Sequence, residues 1–444
     1  MDRIMTEFID KHFDDMAADL AELIAVPSES DDKEKVREAL RIAVSQAEKY
    51  GFKAYSVLDE QVGIVEMGEG PETLGILTHV DVVPAGDPAQ WDSDPYKAEI
   101  RDGKIYGRGT LDDKGMLIAS LYAMRAVKEL GLPLRKKVQL IIGTQEEVEW
   151  TDMDAYVKSY PLPDYGFTPD GAYPVCNIEK GYIDQLMEFD VSDEKGEDGL
   201  YLRELDIGTA ANVIPGRAAA VLSDGREIAV TGKACHSSQP ENGTNALILM
   251  GEKLRAEGLK RNKLLDLLMD VCDVFGDPEG GRLGLRSDGE YYNGEFVHRN
   301  IFSPTILKAK DGRAELTVNV RFAYGADMEQ IKNTIDEWAK ARGGRTLTAD
   351  CQPAVFVPKD RPFLKVFGEC YEEVSGLKND FTLEYGGTYA KAMPNVVSWG
   401  PLFPDEEDTC HQVNEYIAID SLVKSAKIFA ASIARIVLAE ESFK

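Results

Sequence analysis

Leu74-Gly-Ile-Leu-Thr-His79-Val-Asp81 and, across a loop, Gly107-Arg-Gly-Thr-Leu-Asp112-Asp113-Lys-Gly115 decide how the rest of the chain is read. The apolar run 74–78 follows the turn-like Glu69-Gly-Pro71 and reads as a buried strand ending at His79. Side chains two apart on a strand share a face, so His79 and Asp81 point to one place. An imidazole that binds a metal through one nitrogen usually gives its other N–H to a carboxylate or carbonyl, and Asp81 is a candidate for that part. Taken alone, a strand-end histidine satisfied by backbone beside a turn aspartate explains the same residues. The second piece leads into 116–130, where Leu117, Leu121, Met124, Val127 and Leu130 mark one helical face and Gly131 closes it. Asp112 and Asp113 therefore sit at a helix start, where plain capping competes with a carboxylate that bridges two cations.

The length of 444 residues predicts two or three domains, and the 43% hydrophobic content is that of a globular protein. A formal charge of −28, spread without a long acidic block, argues for solubility and against nucleic acid or an anionic membrane as partner. The N-terminal segment has no basic start and no apolar core, which predicts a cytoplasmic protein. The six cysteines stand apart with no Cys-x-x-Cys pair, so any metal is expected on histidine and carboxylate.

Along the chain, Ile4, Phe8, Phe13, Met16, Leu20 and Leu23 predict one amphipathic helix over 3–25, stopped before Pro27. Ser30 is read as the cap of a second helix to about Tyr50, with Gly51 in the left-handed position after it. Strand-like runs occupy 53–58, 62–67 and 74–80, and Trp91 reads as a packing anchor in the turn-rich loop that follows. The buried run 138–144 ends in Gln145-Glu146-Glu147. Adjacent residues in extended chain point apart, which puts one glutamate on a metal and leaves the other as a base, although two solvated surface glutamates are the plainer reading. A short helix over 152–160 precedes a short strand ending at Asp170, and 395–400 precedes the loop to His411 and a closing helix over 419–438.

The recurrence carries weight. Strand–helix alternation predicts a mostly parallel α/β sheet, and in such sheets ligands bind beyond the carboxyl ends of the strands. His79, Asp112, Glu147, Asp170 and His411 all follow such runs, and two histidines with three carboxylates suit two divalent cations. Between 180 and 355 the texture becomes that of an α+β insertion, with strand runs at 218–222, 227–231 and 314–322 and helices over 244–258 and 327–342. The expected domains are therefore a metal-binding domain in two parts, 1–179 and 356–444, and an inserted lid domain over 180–355. A loop there carries His236 ahead of a helix that Asn242 or Thr244 can cap, and it reaches the site if the insertion folds over as a lid. His12 and His298 are assigned to surface or structure.

The set Thr78-His-Val-Asp81, Gly107 to Gly115, Glu146-Glu147, Asp170, His236-Ser-Ser-Gln-Pro240 and His411-Gln-Val-Asn-Glu415 resembles the dinuclear-zinc metallopeptidase family of aminoacylases, acetylornithine deacetylases, glutamate carboxypeptidases and carnosinases. Tyr385-Gly-Gly-Thr-Tyr389 and the large insertion are most similar to bacterial Xaa-His dipeptidases. The resemblance implies a parallel-rich sheet with an inserted ferredoxin-like lid, and two zinc ions, or manganese or cobalt, per subunit. It implies that Asp112 bridges them, that His79 and Asp170 complete one site and Glu147 and His411 the other, that Asp81 orients His79, and that Glu146 is the general base. His236, Asn212 and Arg321 match positions that hold the substrate and its transition state. A dipeptidase is the implied activity. An N-acyl-amino-acid deacylase, like acetylornithine deacetylase or succinyl-diaminopimelate desuccinylase, is the alternative, and a non-catalytic binding protein on the same fold the remote one. Family members commonly follow the glutamate pair with Gly-Ser. Val148-Glu149-Trp150 stands here instead, so the resemblance does not fix the substrate pocket or the setting of the base beside that indole and third carboxylate. The insertion is long enough for two small α+β units, the second replacing a partner's lid, so a monomer is expected ahead of a homodimer.

Overall fold

Strand Thr73–His79 lies inside the larger sheet, and its neighbours explain why its carboxyl end carries function. The computed structural model describes residues 2–192, 199–287 and 289–444. They form two units, one of Met1–Ile178, Phe356–Leu383 and Thr388–Lys444, the other of Glu179–Val355 with Glu384–Gly387. In the first unit Lys137–Gly143, Thr73–His79, Tyr165–Thr168 and Val396–Ser398 run parallel in that order. They are almost continuously buried, as strands covered on both faces are. Val62–Met67 and Lys53–Val57 extend one side antiparallel, and Cys176–Glu179 joins the other. Because the central four share a direction, residues 79–81, 144–147, 170 and the segment toward 411 leave the sheet at the same edge. Gly75 and Gly166 sit opposite each other in this register, and a Cβ on Gly166 would stand 2.3 Å from the Gly75 carbonyl oxygen. Helix Ile419–Leu438 packs on Lys114–Glu129 and Pro362–Ser375.

Two elements near the N-terminus differ from expectation. The first helix is broken into Asp2–Lys11 and Phe13–Ile24, because the His12 ring bonds back to the Phe8 carbonyl at 2.8 Å and stacks on Phe8. Helix Lys33–Lys49 is capped by Asp32, whose carboxylate accepts the Lys35 N–H, and Ser30 is left for another partner. Gly51 does adopt the left-handed conformation, with φ of 73°. Trp91 is buried with its indole N–H on the Ala85 carbonyl, a packing anchor. Among the described residues no helix is long and apolar enough to cross a membrane.

The second unit is one antiparallel sheet of seven strands, in the order Glu227–Thr231, Arg217–Leu222, Leu202–Ile207, Ile301–Lys310, Arg313–Phe322, Gly181–Asp190 and Gly344–Gln352. Two separate α+β units were expected. The ten-residue hairpin strands Ile301–Lys310 and Arg313–Phe322 pair with each other along their length and carry the ladder across the middle, so the halves share a sheet. Alternating burial along Gly181–Asp190 marks one covered face, packed by Ala246–Arg255, Met328–Lys340 and a helix not foreseen, Lys263–Phe275. Helix Ala246–Arg255 is capped by Asn245 instead of Asn242 or Thr244, its side chain accepting the Leu247 N–H.

The core of the first unit is aromatic where the sheet meets its helices. Trp399 is fully buried, stacked on Phe367 at 4.6 Å and edge-on to Phe167 at 5.2 Å. Trp399→Ala is expected to cost about 3–5 kcal/mol, read from the shift in urea midpoint. A loss under about 1 kcal/mol would show that this cluster does not bear on stability.

Candidate metal centre

One strand end and four loops bring the five proposed ligands together. The Nδ1 of His79 lies 2.9 Å from the Asp81 carbonyl oxygen. A carbonyl only accepts, so Nδ1 carries the hydrogen and Nε2 presents its lone pair. That Nε2 faces Asp112 Oδ1 at 3.0 Å and Asp170 Oδ2 at 3.6 Å. The other oxygen of the same carboxylate, Asp112 Oδ2, is 3.0 Å from His411 Nε2, itself 3.0 Å from Glu147 Oε2. Asp112 thus turns one oxygen to each group. Ligand atoms at about 2.0–2.1 Å from a tetrahedral metal stand about 3.4 Å apart, and the spacings here run from 3.0 to 3.6 Å, within a few tenths of an ångström of that.

The buried polar atoms make the same point. His79 Nε2, Asp112 Oδ1 and Glu146 Oε1 are buried and have no hydrogen-bond partner. Lone pairs facing lone pairs out of water need cations between them, so the residues present fit two divalent ions. The titration of these groups reflects the crowding. Burial disfavours a charged His79, yet Asp112, Asp170 and Asp81 raise it well above its ordinary value. His411 is likewise raised to about 11 by Asp112 and Glu147 against its burial. Burial works to raise Asp112, but His411 and His79 hold it well below the usual carboxylate range. Burial, joined by neighbouring carboxylates, raises Glu147 to about 7 and pushes Glu146 and Asp170 up. His411 keeps 51% of its side chain exposed while Glu147 keeps 7%, so the group opens to solvent on the histidine side.

Asp81 does more than orient His79. Its carboxylate stands 3.4 Å from His79 Nδ1, farther than its own carbonyl, and it accepts the N–H groups of Glu146 and Glu147 at 3.2 and 3.3 Å. Ser30, freed from capping, donates its hydroxyl to the same carboxylate at 2.9 Å. Asp81 therefore fixes the turn that presents both glutamates and holds His79 through its main chain. Asp113 stands at the N-cap of Lys114–Glu129 without a capping bond and accepts the His79 N–H at 3.2 Å, so simple capping does not account for the pair. The Asp112–Asp113 peptide is cis.

Trp150, where the family's small step is replaced, turns inward. Its indole is buried against Tyr389 and donates to the Glu146 carbonyl at 2.5 Å, so it supports the glutamate turn from within the core. Its φ of 52° is a conformation a bulky residue rarely takes, and strain of this kind collects at functional sites. Glu149 is exposed on the surface. Asp152 completes the support, accepting the Thr144 and Gln145 N–H groups at 2.6 and 3.1 Å and the Tyr389 hydroxyl at 2.7 Å. Nothing in the sequence distinguished Asp152 or Ser30 from ordinary helix-start and turn residues. Cys410 lies with its Sγ 2.9 Å from Asp112 Oδ2, and burial among carboxylates raises its thiol, which disfavours a nucleophilic thiolate.

The second unit gathers the three other candidates. Val213 pairs with His236, and the Asn212 carbonyl accepts the Ser237 N–H at 2.9 Å, so Asn212, in the turn just before strand Val213–Ile214, lies beside the His236 strand. The Ser238 N–H donates to His236 Nδ1 at 3.3 Å, which leaves the hydrogen on Nε2. Burial and then the charge of Arg321 lower His236, favouring the neutral ring. Arg321 is 7% exposed, with Nη1 on the Tyr385 carbonyl at 3.2 Å and Nε unpartnered.

The model of peptidase family M20/M25/M40 matches residues 75–435. A Bacillus subtilis protein named "Putative dipeptidase YtjP" is 34% identical over 434 residues, covering 90% of each chain. The structure of human carnosine dipeptidase 1 superposes with a TM-score of 0.62 at 16% identity, covering 97% of each chain. That of aminoacylhistidine dipeptidase from Vibrio alginolyticus gives 0.64 at 14% identity, covering 94% of this chain and 96% of the other. At those identities the two structures show a shared fold.

Trp150→Phe removes the hydrogen bond to the Glu146 carbonyl while keeping an aromatic ring in the core. Turnover is expected to fall about 10–100-fold with bound metal at the wild-type level, measured by steady-state kinetics beside elemental analysis. Unchanged turnover would show that the indole only fills space.

Proposed function

Because the chain belongs to peptidase family M20/M25/M40, we infer that it is a metal-dependent dipeptidase. The observation that carries the reading is Asp112, one oxygen turned to His79 and Asp170 and the other to His411 and Glu147, with the unpartnered Glu146 carboxyl beside them. Those five residues would hold two cations, with Asp112 shared. When bound, two such cations supply an acidified water and a polarised carbonyl. Zinc suits the mixed imidazole and carboxylate donors, and a replacement series with manganese and cobalt decides the native ion.

Glu146 is the general base in this reading. Its side chain is buried, its pKa is raised by burial and by Asp170, and Asp81 and Trp150 hold its backbone. It takes a proton from the attacking water and returns it to the leaving amine, and no acyl-enzyme is required. His236 offers an Nε2–H to the developing oxyanion, and Arg321 and Asn212 bind the substrate's polar ends. Removal of an acyl group from an amino acid would use the same parts. The relatives named as dipeptidases favour the peptide substrate. Six cysteines that stand apart in the sequence with no Cys-x-x-Cys pair suit a cytoplasmic location.

Activity is tested on a panel of dipeptides and acetylated amino acids with each metal in turn. Cleavage confined to acetylated amino acids would replace the dipeptidase by the deacylase. Glu146→Gln is expected to keep its metal and lose about 10²–10⁴ in rate, since it removes proton transfer and no ligand. Near-wild-type kcat with full metal would end Glu146's assignment.

A monomer that works within its own chain is proposed on the size of the second unit. Mixing inactive His236→Ala with inactive Glu146→Gln is then expected to give no activity. Recovery of turnover in the mixture would show that the histidine acts across subunits.

A further inference from the structure

A fully buried carboxylate, Glu415, lies four residues beyond His411 and is used by no step of the chemistry above. Its Oε2 accepts Arg108 Nη1 at 2.7 Å and the Gly109 N–H at 3.0 Å. Its Oε1 accepts the N–H groups of Gly109, Leu111 and Asp112 at 3.0, 2.9 and 3.2 Å. The Glu415 carbonyl in turn accepts the Gly107 N–H at 3.0 Å. Arg108 is 2% exposed and reaches the Pro84 carbonyl with Nη2 at 3.3 Å. One side chain near the end of the chain thus closes the backbone of the Asp112 loop around itself, about 300 residues away in sequence.

We propose that Glu415, paired with Arg108, is a positioning residue that sets Asp112 and His411 at the spacing the two cations need. The inference rests on the reading of Asp112 and His411 as ligands. The geometry is specific to a carboxylate. Every neighbouring group donates, and an ionised carboxylate is the side chain that only accepts. Bonds to a charged acceptor are shorter and stronger than neutral ones, and the Asp112 N–H is one of them, so the bridging ligand is tied at its own main chain. At the other end three residues separate Glu415 from His411, whose φ of 61° is left-handed, so tension on that short segment acts directly on the imidazole. An amide at 415 would turn its NH₂ toward donors and leave the Arg108 charge buried without its counter-ion.

The test is metal binding by the ion-free full-length protein, read as stoichiometry and affinity for zinc in competition with a chromophoric chelator. Wild type is expected to take two ions, and failure to do so sinks the ligand reading whatever Glu415 does. Given two ions in wild type, Glu415→Gln is expected to bind both about 10–100-fold more weakly, with the rise in melting temperature at saturating zinc reduced. Turnover is expected to recover toward wild type as zinc is raised, because no reacting group has been lost. The double variant Glu415→Gln with Arg108→Met removes the buried unpaired charge and is the folded comparison if the single variant is unstable. It is expected to keep the weakened affinity. Wild-type zinc affinity in either variant overturns the proposal, since burial of charge or simple packing would then explain the pair.

Discussion

Like charges gathered out of water are the constraint on which the first unit depends. Asp112, Glu146, Glu147 and Asp170 are drawn around two imidazoles, with atoms as close as 3.0 Å, in a space where desolvation disfavours every one of them as an anion. The ring nitrogens relieve this only in part, and in competition with their own burial. Such an arrangement is a poor way to stabilise a fold and a good way to hold divalent ions, because the free energy missing from the protein is supplied by the ligand it awaits.

Around those groups stands a second set of acidic residues whose partners are main-chain amides. Asp81 takes the N–H groups of Glu146 and Glu147, Asp152 those of Thr144 and Gln145, Asp113 that of His79, and Glu415 those of Gly109, Leu111 and Asp112. These carboxylates hold the main chain of three proposed ligands, His79, Asp112 and Glu147, so those three are aimed by their backbone as well as by their rotamer. The arrangement explains how irregular chain with left-handed Trp150 and His411 is kept in one conformation.

The strands and the five proposed ligands were readable because they announce themselves locally. An apolar run followed by histidine or carboxylate recurs from Leu74 to His411, and the parallel sheet turns that recurrence into a common edge. What was not readable depends on contacts between distant segments. Ser30 looked like a cap until Asp32 took that place, and nothing near residue 30 names Asp81 as its partner. Trp150 looked like an intruder beside the base because a single sequence does not say which way an indole turns. Tyr389, which lies beneath it, is 239 residues further on. The break at His12 came from a ring bonding back to Phe8, a choice that hydrophobic spacing does not register. The seven-stranded sheet was missed for a similar reason, since strand runs reveal elements and not which of them pair.

Val396–Ser398 lies between Tyr165–Thr168 and Cys176–Glu179, a late segment filling a slot among early ones. Until it arrives the sheet is divided, and His411 and the carboxylate four residues beyond it follow it in the chain. On a ribosome the polypeptide emerges from its amino end, and pairings so remote in sequence form last. On the reading of these residues as ligands, a nascent chain carries His79, Asp112, Glu147 and Asp170 before His411 has been made, so the proposed set closes only when synthesis is nearly finished.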